Sequence, residues 1–321
     1  MAVITRLDQG DVASILSAYA AGELLSFDPV STGIENSNYI VTTREPNGSR
    51  QRVMTIIEQD SYSGAAYPTI LDVCHHAGLP VAPLIRTRIG EPYAFYQGKR
   101  VALTPRLRGH HVHQPTLGQV SSVGRLVARL HQATGVLNGG PAHPRSPAWL
   151  SAQAEALRGF IAYPTQVLID DGIASLHQLM TRSEVSDLSQ GVIHGDLFRD
   201  NLLFDERGLT GVIDFHHASL GFHMFDLAVA VNDWCSTFDG TLDHARTLAL
   251  LRAYHNQCGL TQAEIWTFGL FLIYAGVTFL VARLSVNLSA DGTTPTKNPQ
   301  EFERIVCQRL RYPYLIDQRS L

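Results

Sequence analysis

Residues 191–215 read GVIHGDLFRDNLLFDERGLTGVIDF, and the fold of the whole chain is decided by how this stretch is read. His194, Asp196 and Asn201 stand in the spacing H-x-D-x-x-x-x-N of a phosphotransferase catalytic loop. Phosphoryl transfer is mostly positioning plus electrostatic neutralisation. One carboxylate must face the attacking hydroxyl while a neutral oxygen ligand reaches a metal ion, and one short loop carrying Asp196 and Asn201 can do both. Beyond it, Leu202-Leu203-Phe204, the turn Asp205-Glu206-Arg207-Gly208 and residues 209–213 spell a hairpin that returns Asp214 beside the loop. Hard oxygen donors shared with a nucleotide's phosphates suit magnesium, so Asn201 and Asp214 are the expected metal ligands and Asp196 the expected catalytic base. His194 is expected to support the loop. Asp226, in MFDLAVAVNDWC, opens a helical run, where it would cap the helix or hold the backbone of the catalytic loop.

Working upstream, Gly33-Ile34-Glu35-Asn36-Ser37-Asn38-Tyr39 precedes a strand and offers small polar donors of the kind that cover phosphates. Gly33, Asn36, Ser37 and Asn38 are therefore expected to bind ATP, although neither a Walker A sequence nor G-x-G-x-x-G occurs. The next strand reads RVMTIIE and places Thr55 where a kinase strand usually carries a phosphate-binding Lys. Arg52, the loop's own donors or further magnesium contact could supply the charge. An inactive binding module stays open on this ground. The connection between lobes carries Pro105, which cannot donate a backbone hydrogen bond, so adenine recognition falls to Thr104 or Leu107.

The pattern along the chain predicts an α+β protein of two lobes. Residues 39–42 and 53–57 read as strands joined at Glu45-Pro46-Asn47-Gly48, residues 69–76 as a helix, and 93–96 and 100–103 as a second strand pair. From Thr116 the apolar spacing turns helical, and it is helical again over residues 150–179, 243–254 and 264–284, with a Gly- and Pro-rich loop at 135–148. The expected division is an antiparallel nucleotide-binding lobe over residues 1–103 and a mainly helical catalytic and substrate lobe over 104–321.

Composition excludes several classes. The 321 residues carry a formal charge of −4 with scattered basic residues, so the stripe needed to bind a nucleic-acid backbone is missing. Four cysteines form no C-x-x-C pair, and reduced, cytoplasmic thiols are expected. The opening MAVITRLDQGDVASIL has acidic residues where an export signal would be apolar, and the uncharged run at residues 265–282 is diluted by Thr, Gly and Tyr. A core helix is expected there, with no membrane partner.

GIENSNYIVTT, VIHGDLFRDNLLF, GVIDF and DLAVAVNDWC resemble, in order, the blocks of the aminoglycoside phosphotransferase superfamily and, within it, the homoserine kinase branch. The resemblance runs from about residue 1 to Arg309. It implies the bilobal protein-kinase-like fold, ATP with Mg2+, and O-phosphorylation of L-homoserine on the way to threonine. That branch also carries Thr at the position of the strand Lys. The chain departs from the branch at Pro105-Arg106 and in the His-rich run 216–223. A zwitterionic amino alcohol needs a carboxylate for its ammonium and a cation or amide donors for its own carboxylate. Asn232, Asp233 and Trp234 are candidates, as are Arg199 and Arg283 for the carboxylate and His216 for acceptor or phosphate; a helix-end Asp and a core Trp are the plainer reading. Another small-molecule hydroxyl acceptor, such as an aminoglycoside, choline or a sugar, is the rival, and a polycation would look to Asp226, Asp233, Asp239 and Asp243.

Overall fold

The computed structural model describes residues 3–30, 36–58, 64–289 and 297–321. The chain opens with helix α1 (Gln9–Ser17), whose N-terminus is closed by a reciprocal pair of hydrogen bonds between Asp8 and Asp11. Strands β1 (Glu23–Pro29), β2 (Ser37–Glu45) and β3 (Gly48–Ile56) follow, then helix α2 (Tyr67–His76) and strands β4 (Ala94–Tyr96) and β5 (Lys99–Pro105). They form one antiparallel sheet in the order β1-β2-β3-β5-β4. Both tight turns lie where Gly predicted them. Glu45 pairs with Gly48 across Pro46-Asn47, and Gln97-Gly98 turns with both residues at positive φ, the geometry that matches strand twist.

Alternation along β2 and β3 sorts the sheet into two faces. Tyr39, Val41, Met54, Ile56, Val101 and Leu103 face α1 and close a small core with Val12, Ile15 and Leu16. Asn38, Thr55 and Ala102 are cross-strand partners on the other face, and Ala102 belongs to the larger core of the second lobe. That face therefore looks into the space between the lobes. Strand β5 runs through the expected boundary between residues 103 and 104 as far as Pro105.

The second lobe comprises α3 (Leu117–Thr134), α4 (Pro147–Leu157), α5 (Tyr163–Met180), β6 (Gln190–Ile193), β7 (Leu202–Asp205), β8 (Gly208–Val212), β9 (Ser219–Phe222), α6 (His223–Trp234), α7 (His244–Cys258), α8 (Gln262–Ser289) and α9 (Gln300–Arg311). β7 and β8 form the expected hairpin, and β6 pairs with β9. The single helical run expected over residues 150–179 is two helices, because Gly159 turns back at φ +89 and Pro164 starts the second. Helix α8 contains the uncharged run. Of its most apolar window 78 % is buried inside the protein, packed among α4, α5, α6 and α9, as expected of a core helix.

The lobes meet through backbone, side-chain and ring contacts. Val212 donates its N–H to the Pro80 carbonyl at 2.8 Å, Arg129 on α3 donates to the Gly78 carbonyl at 2.8 Å, and the Tyr67 ring stacks on His216 at 4.8 Å. The first and last of these land on the β7–β8 hairpin or the turn that follows it.

Candidate active site

Strand β6 delivers His194-Gly195-Asp196 to the cleft. Gly195 sits at φ +78, and a Cβ there would lie 3.1 Å from the His217 carbonyl, so the loop needs glycine at this corner. The Asp226 carboxylate, wholly buried near the start of α6, accepts the N–H of His194 at 2.8 Å and of Gly195 at 2.7 Å. His131 on α3 reaches the same carboxylate at 3.2 Å, and Tyr254 on α7 lies 3.1 Å from the other ring nitrogen. Burial pushes the Asp226 carboxyl up, but the His131 bond, with the charges and donors of His131 and His194, outweighs it and holds Asp226 below its ordinary value.

His194 accepts the Asp196 N–H on Nδ1 at 3.3 Å, so its Nε2 carries the proton and donates to the Ile213 carbonyl at 3.0 Å. Ile213 N–H in turn donates to the Asn201 carbonyl at 3.0 Å. The residue after Ile213 is thus pinned to both ends of the catalytic loop, and that residue is Asp214. It adopts a left-handed backbone at φ 66, which an Asp tolerates and a branched residue would not. The Asn201 amide donates to the Asp196 backbone carbonyl and to its Oδ2, both at 2.8 Å. Both amide hydrogens are thereby engaged, and Asn201 Oδ1 is left as a hard oxygen donor.

Asp196 also faces Arg145, whose Nη1 lies 3.4 Å from Oδ1. Burial raises the Asp196 carboxyl, yet Arg145 first, then His217, Lys297 and His194, lower it further, and the net position is below the usual value. The same guanidinium is 3.4 Å from His217 Nε2 and lies 4.6 Å over the Phe279 ring. Neither Arg145 nor His131 was expected from the sequence. His131 is one His on an otherwise apolar helix face, and Arg145 stands in a loop whose composition announces only irregular backbone.

The nucleotide side needs two corrections. Gly33 lies outside the described residues. Ser37, expected to cover phosphates, is fully buried on the far face of the sheet, where it accepts the N–H of Ile4 and Thr5 at 2.9 Å and bonds Glu58. Arg52 also points to that far face, where it is buried against Glu45, Thr43 and the Ala21 carbonyl, so it does not replace the strand Lys. What the cleft face presents is Thr55, donating to Asn38 Oδ1 at 2.7 Å, with Asn36 accepting the Glu58 N–H at 3.2 Å. Thr104 pairs with Val53 on the same strand face as Ala102, and Leu107 packs beside Leu203 against Gly211 of the hairpin.

On the acceptor side the candidates divide. Asn232 bridges the Leu272 carbonyl at 2.8 Å and Arg309 Nε at 3.0 Å, and the Trp234 indole donates to the Leu197 carbonyl at 3.2 Å from full burial. Both are core residues. Asp233 is committed to Arg199, accepting its backbone N–H at 2.7 Å and its guanidinium at 3.0 and 3.2 Å. Burial leaves the Asp233 carboxyl above its ordinary value despite that partner. Arg283 holds Glu301 at 2.7 Å and the Asn298 carbonyl at 2.9 Å. Asn232, Asp233, Trp234 and Arg199 thus spend their polar side-chain atoms inside the protein, while Arg283 makes both of its bonds through Nη1. His216 is buried under Tyr67, beside Asp214.

Comparison with known proteins shows the family and the fold. The sequence model of the phosphotransferase enzyme family matches residues 26–260. A homoserine kinase of Pseudomonas aeruginosa is 36 % identical over 312 residues, 96 % of each chain, and one of Methylobacillus flagellatus is 33 % identical over 95 % of this chain and 94 % of its own. Among solved structures, an amicoumacin kinase in complex with AMP-PNP, Ca2+ and Ami superposes with a TM-score of 0.70 at 14 % identity, covering 96 % and 95 % of the two chains. A microcompartment-associated aminopropanol kinase gives 0.70 at 19 %, covering 94 % of each. The overall architecture is thus the bilobal kinase-like fold expected from the sequence.

Proposed function

We propose that this chain, which belongs to the phosphotransferase enzyme family, is an ATP-dependent homoserine kinase that forms O-phospho-L-homoserine and ADP. The observation that carries the phosphotransfer reading is the direct bond from Asn201 to Asp196, with the backbone of Ile213, next in sequence to Asp214, bonded to Asn201 and His194. The choice of acceptor rests on the relatives named homoserine kinase, which match almost the full chain.

Asp196 would receive the hydrogen bond of the acceptor hydroxyl and take its proton as the oxygen bonds to the γ-phosphorus and the bond to ADP breaks. Its ionised state at neutral pH follows from the surrounding cations. Asn201 Oδ1 and the Asp214 carboxylate are the donor set for Mg2+, an ion that neutralises the charge of the transferring phosphates when bound. Asn36, Asn38 and Thr55 would line the phosphates, and Thr104 to Leu107 the adenine. Asp226 and His194 hold the loop. Residues 1–103 would form the nucleotide lobe and 104–321 the catalytic lobe, in a cytoplasmic enzyme of amino-acid biosynthesis.

The test is ADP release with Mg2+ and a panel of L-homoserine, choline and an aminoglycoside. L-homoserine should be turned over best, Asp196→Asn should lower kcat roughly 10²- to 10⁴-fold with nucleotide still bound, and chelation of the metal should stop turnover. Equal or better turnover of choline or the aminoglycoside would refute the acceptor, and an Asp196→Asn variant as active as wild type would refute the chemistry.

A further inference from the structure

Arg145 is the arginine that faces Asp196. Arg199, in the catalytic loop itself, spends all three guanidinium nitrogens on Asp233 and the His113 carbonyl. Arg145 makes its two polar side-chain contacts, with Asp196 and His217, at 3.4 Å each. Charge-assisted N–H···O bonds ordinarily run about 2.7–2.9 Å, and a guanidinium has five N–H donors in a fixed fork. Its capacity is thus largely uncommitted while its position is fixed. The Phe279 ring supports the guanidinium plane at 4.6 Å, the Tyr274 hydroxyl holds the Arg145 carbonyl at 3.1 Å, and only 13 % of the side chain is exposed. Planar support of this kind pre-organises an Arg to take a carboxylate edge-on.

We propose that Arg145 receives the carboxylate of the acceptor and so selects a hydroxy amino acid over the corresponding amino alcohol. The inference rests on the homoserine reading above and deepens it. With the acceptor hydroxyl on Asp196, the carboxylate of a short hydroxy amino acid lies close by on the same molecule, and Arg145 is the cation placed against Asp196. Lys297, bonded to Asp200 at 2.6 Å and lying 5.4 Å from the centre of the Phe198 ring, adds positive charge at the same rim. A rim of this sign repels a polycationic acceptor and attracts an anionic one. When the acceptor carboxylate engages Arg145, the guanidinium is drawn off Asp196, so binding the correct acceptor also frees the base.

The experiment compares kcat/KM for L-homoserine with that for 3-aminopropan-1-ol, which is homoserine without its carboxylate, in the wild type and in Arg145→Ala and Arg145→Lys. The wild type should prefer L-homoserine. Arg145→Ala should shrink that preference about 10- to 100-fold, mainly through KM for L-homoserine, as expected for loss of a hydrogen bond to a charged group. Arg145→Lys, which keeps the charge but loses the fork, should fall between, and it serves where the Ala variant does not fold. Added guanidinium should restore turnover of L-homoserine by Arg145→Ala and leave that of the amino alcohol as it was. A preference ratio unchanged in both variants, with the two substrates lowered together, would show that Arg145 only holds Asp196 and overturns the proposal. A wild type inactive on L-homoserine overturns the function itself, which is a different result.

Discussion

At the scale of single residues, the catalytic loop is held by one buried carboxylate whose two oxygens serve two successive backbone N–H groups. Asp226 therefore acts on position, through His194 and Gly195, without touching the reacting atoms. Replacing Asp226 with Asn puts an NH2 against one of those N–H donors and removes the charge that faces His131. The expected outcome is a loss of about 3 kcal/mol of stability, in the range for breaking a buried charged contact. A fall in kcat larger than any change in KM for ATP should accompany it. Urea unfolding and steady-state kinetics on the same preparation check both, and a fully stable variant with unaltered kcat would show that the loop holds itself. Asp196, Asn201 and Asp214 were legible in the sequence because they lie within one short stretch whose spacing reflects its own geometry. Arg145 and His131 were not, because Arg145 meets Asp196 across 51 residues of sequence and His131 meets Asp226 across 95, and no local pattern encodes such meetings.

At the scale of elements, the sequence reading succeeded where a turn signal bracketed an alternating run and failed where a strand carries no alternation of its own. The β2–β3 and β4–β5 hairpins each carry a Gly at the turn. Strand β1 was missed because it is an edge strand of sequence ELLSFDP, exposed at most positions, with no alternation to detect. The same limit applied to Ser37, which alternation along β2 assigns to the covered face once the strand's true start is known. Helix α3 offers a sharper test of packing. Gly124 faces α7 so closely that a Cβ would lie 2.3 Å from the Leu250 carbonyl oxygen and 3.0 Å from Ala253 Cβ. Ala in place of Gly gains up to about 1 kcal/mol of helix propensity, but a backbone oxygen cannot step aside unless the helices separate. Gly124→Ala should therefore destabilise the protein by about 1–3 kcal/mol. Gly118→Ala in the same helix, where only Thr116 Oγ1 comes within 4.0 Å, should be neutral or stabilising. Thermal melts of the pair decide it, and a stabilised Gly124→Ala variant would mean that the crossing relaxes freely.

At the scale of the whole molecule, the second lobe carries a cluster of histidines packed behind the catalytic loop. His223 stacks on His131 at 4.1 Å with the rings 12° apart, and His143 lies beside Arg145 with Nδ1 3.0 Å from Ser219 Oγ. Burial first, and then the neighbouring His131, pushes His223 down to about 3, with Asp226 opposing. Burial, Arg145 and His217 push His143 down to about 4, again against Asp226. The folded protein therefore keeps both rings neutral in a range where the unfolded chain protonates them, at about 6.5. Because the unfolded state binds more protons there, stability must fall as pH drops below about 6.5 and continue falling toward pH 4. At roughly 1.4 kcal/mol per pH unit for each group, moving from pH 7 to pH 5 should cost about 2 kcal/mol per histidine and about 4 together. The depressed carboxylates Asp196 and Asp226 lose their contribution only lower, in the carboxylate range, while the raised Asp233 acts in the opposite sense there. Urea unfolding at pH 7, 6 and 5 should show a falling midpoint, with the slope reduced by about half in His223→Asn, whose side chain does not titrate. A midpoint flat between pH 7 and pH 5 would mean that the histidine cluster takes up its protons without loosening the second lobe, and the neutral packing inferred for it would be wrong.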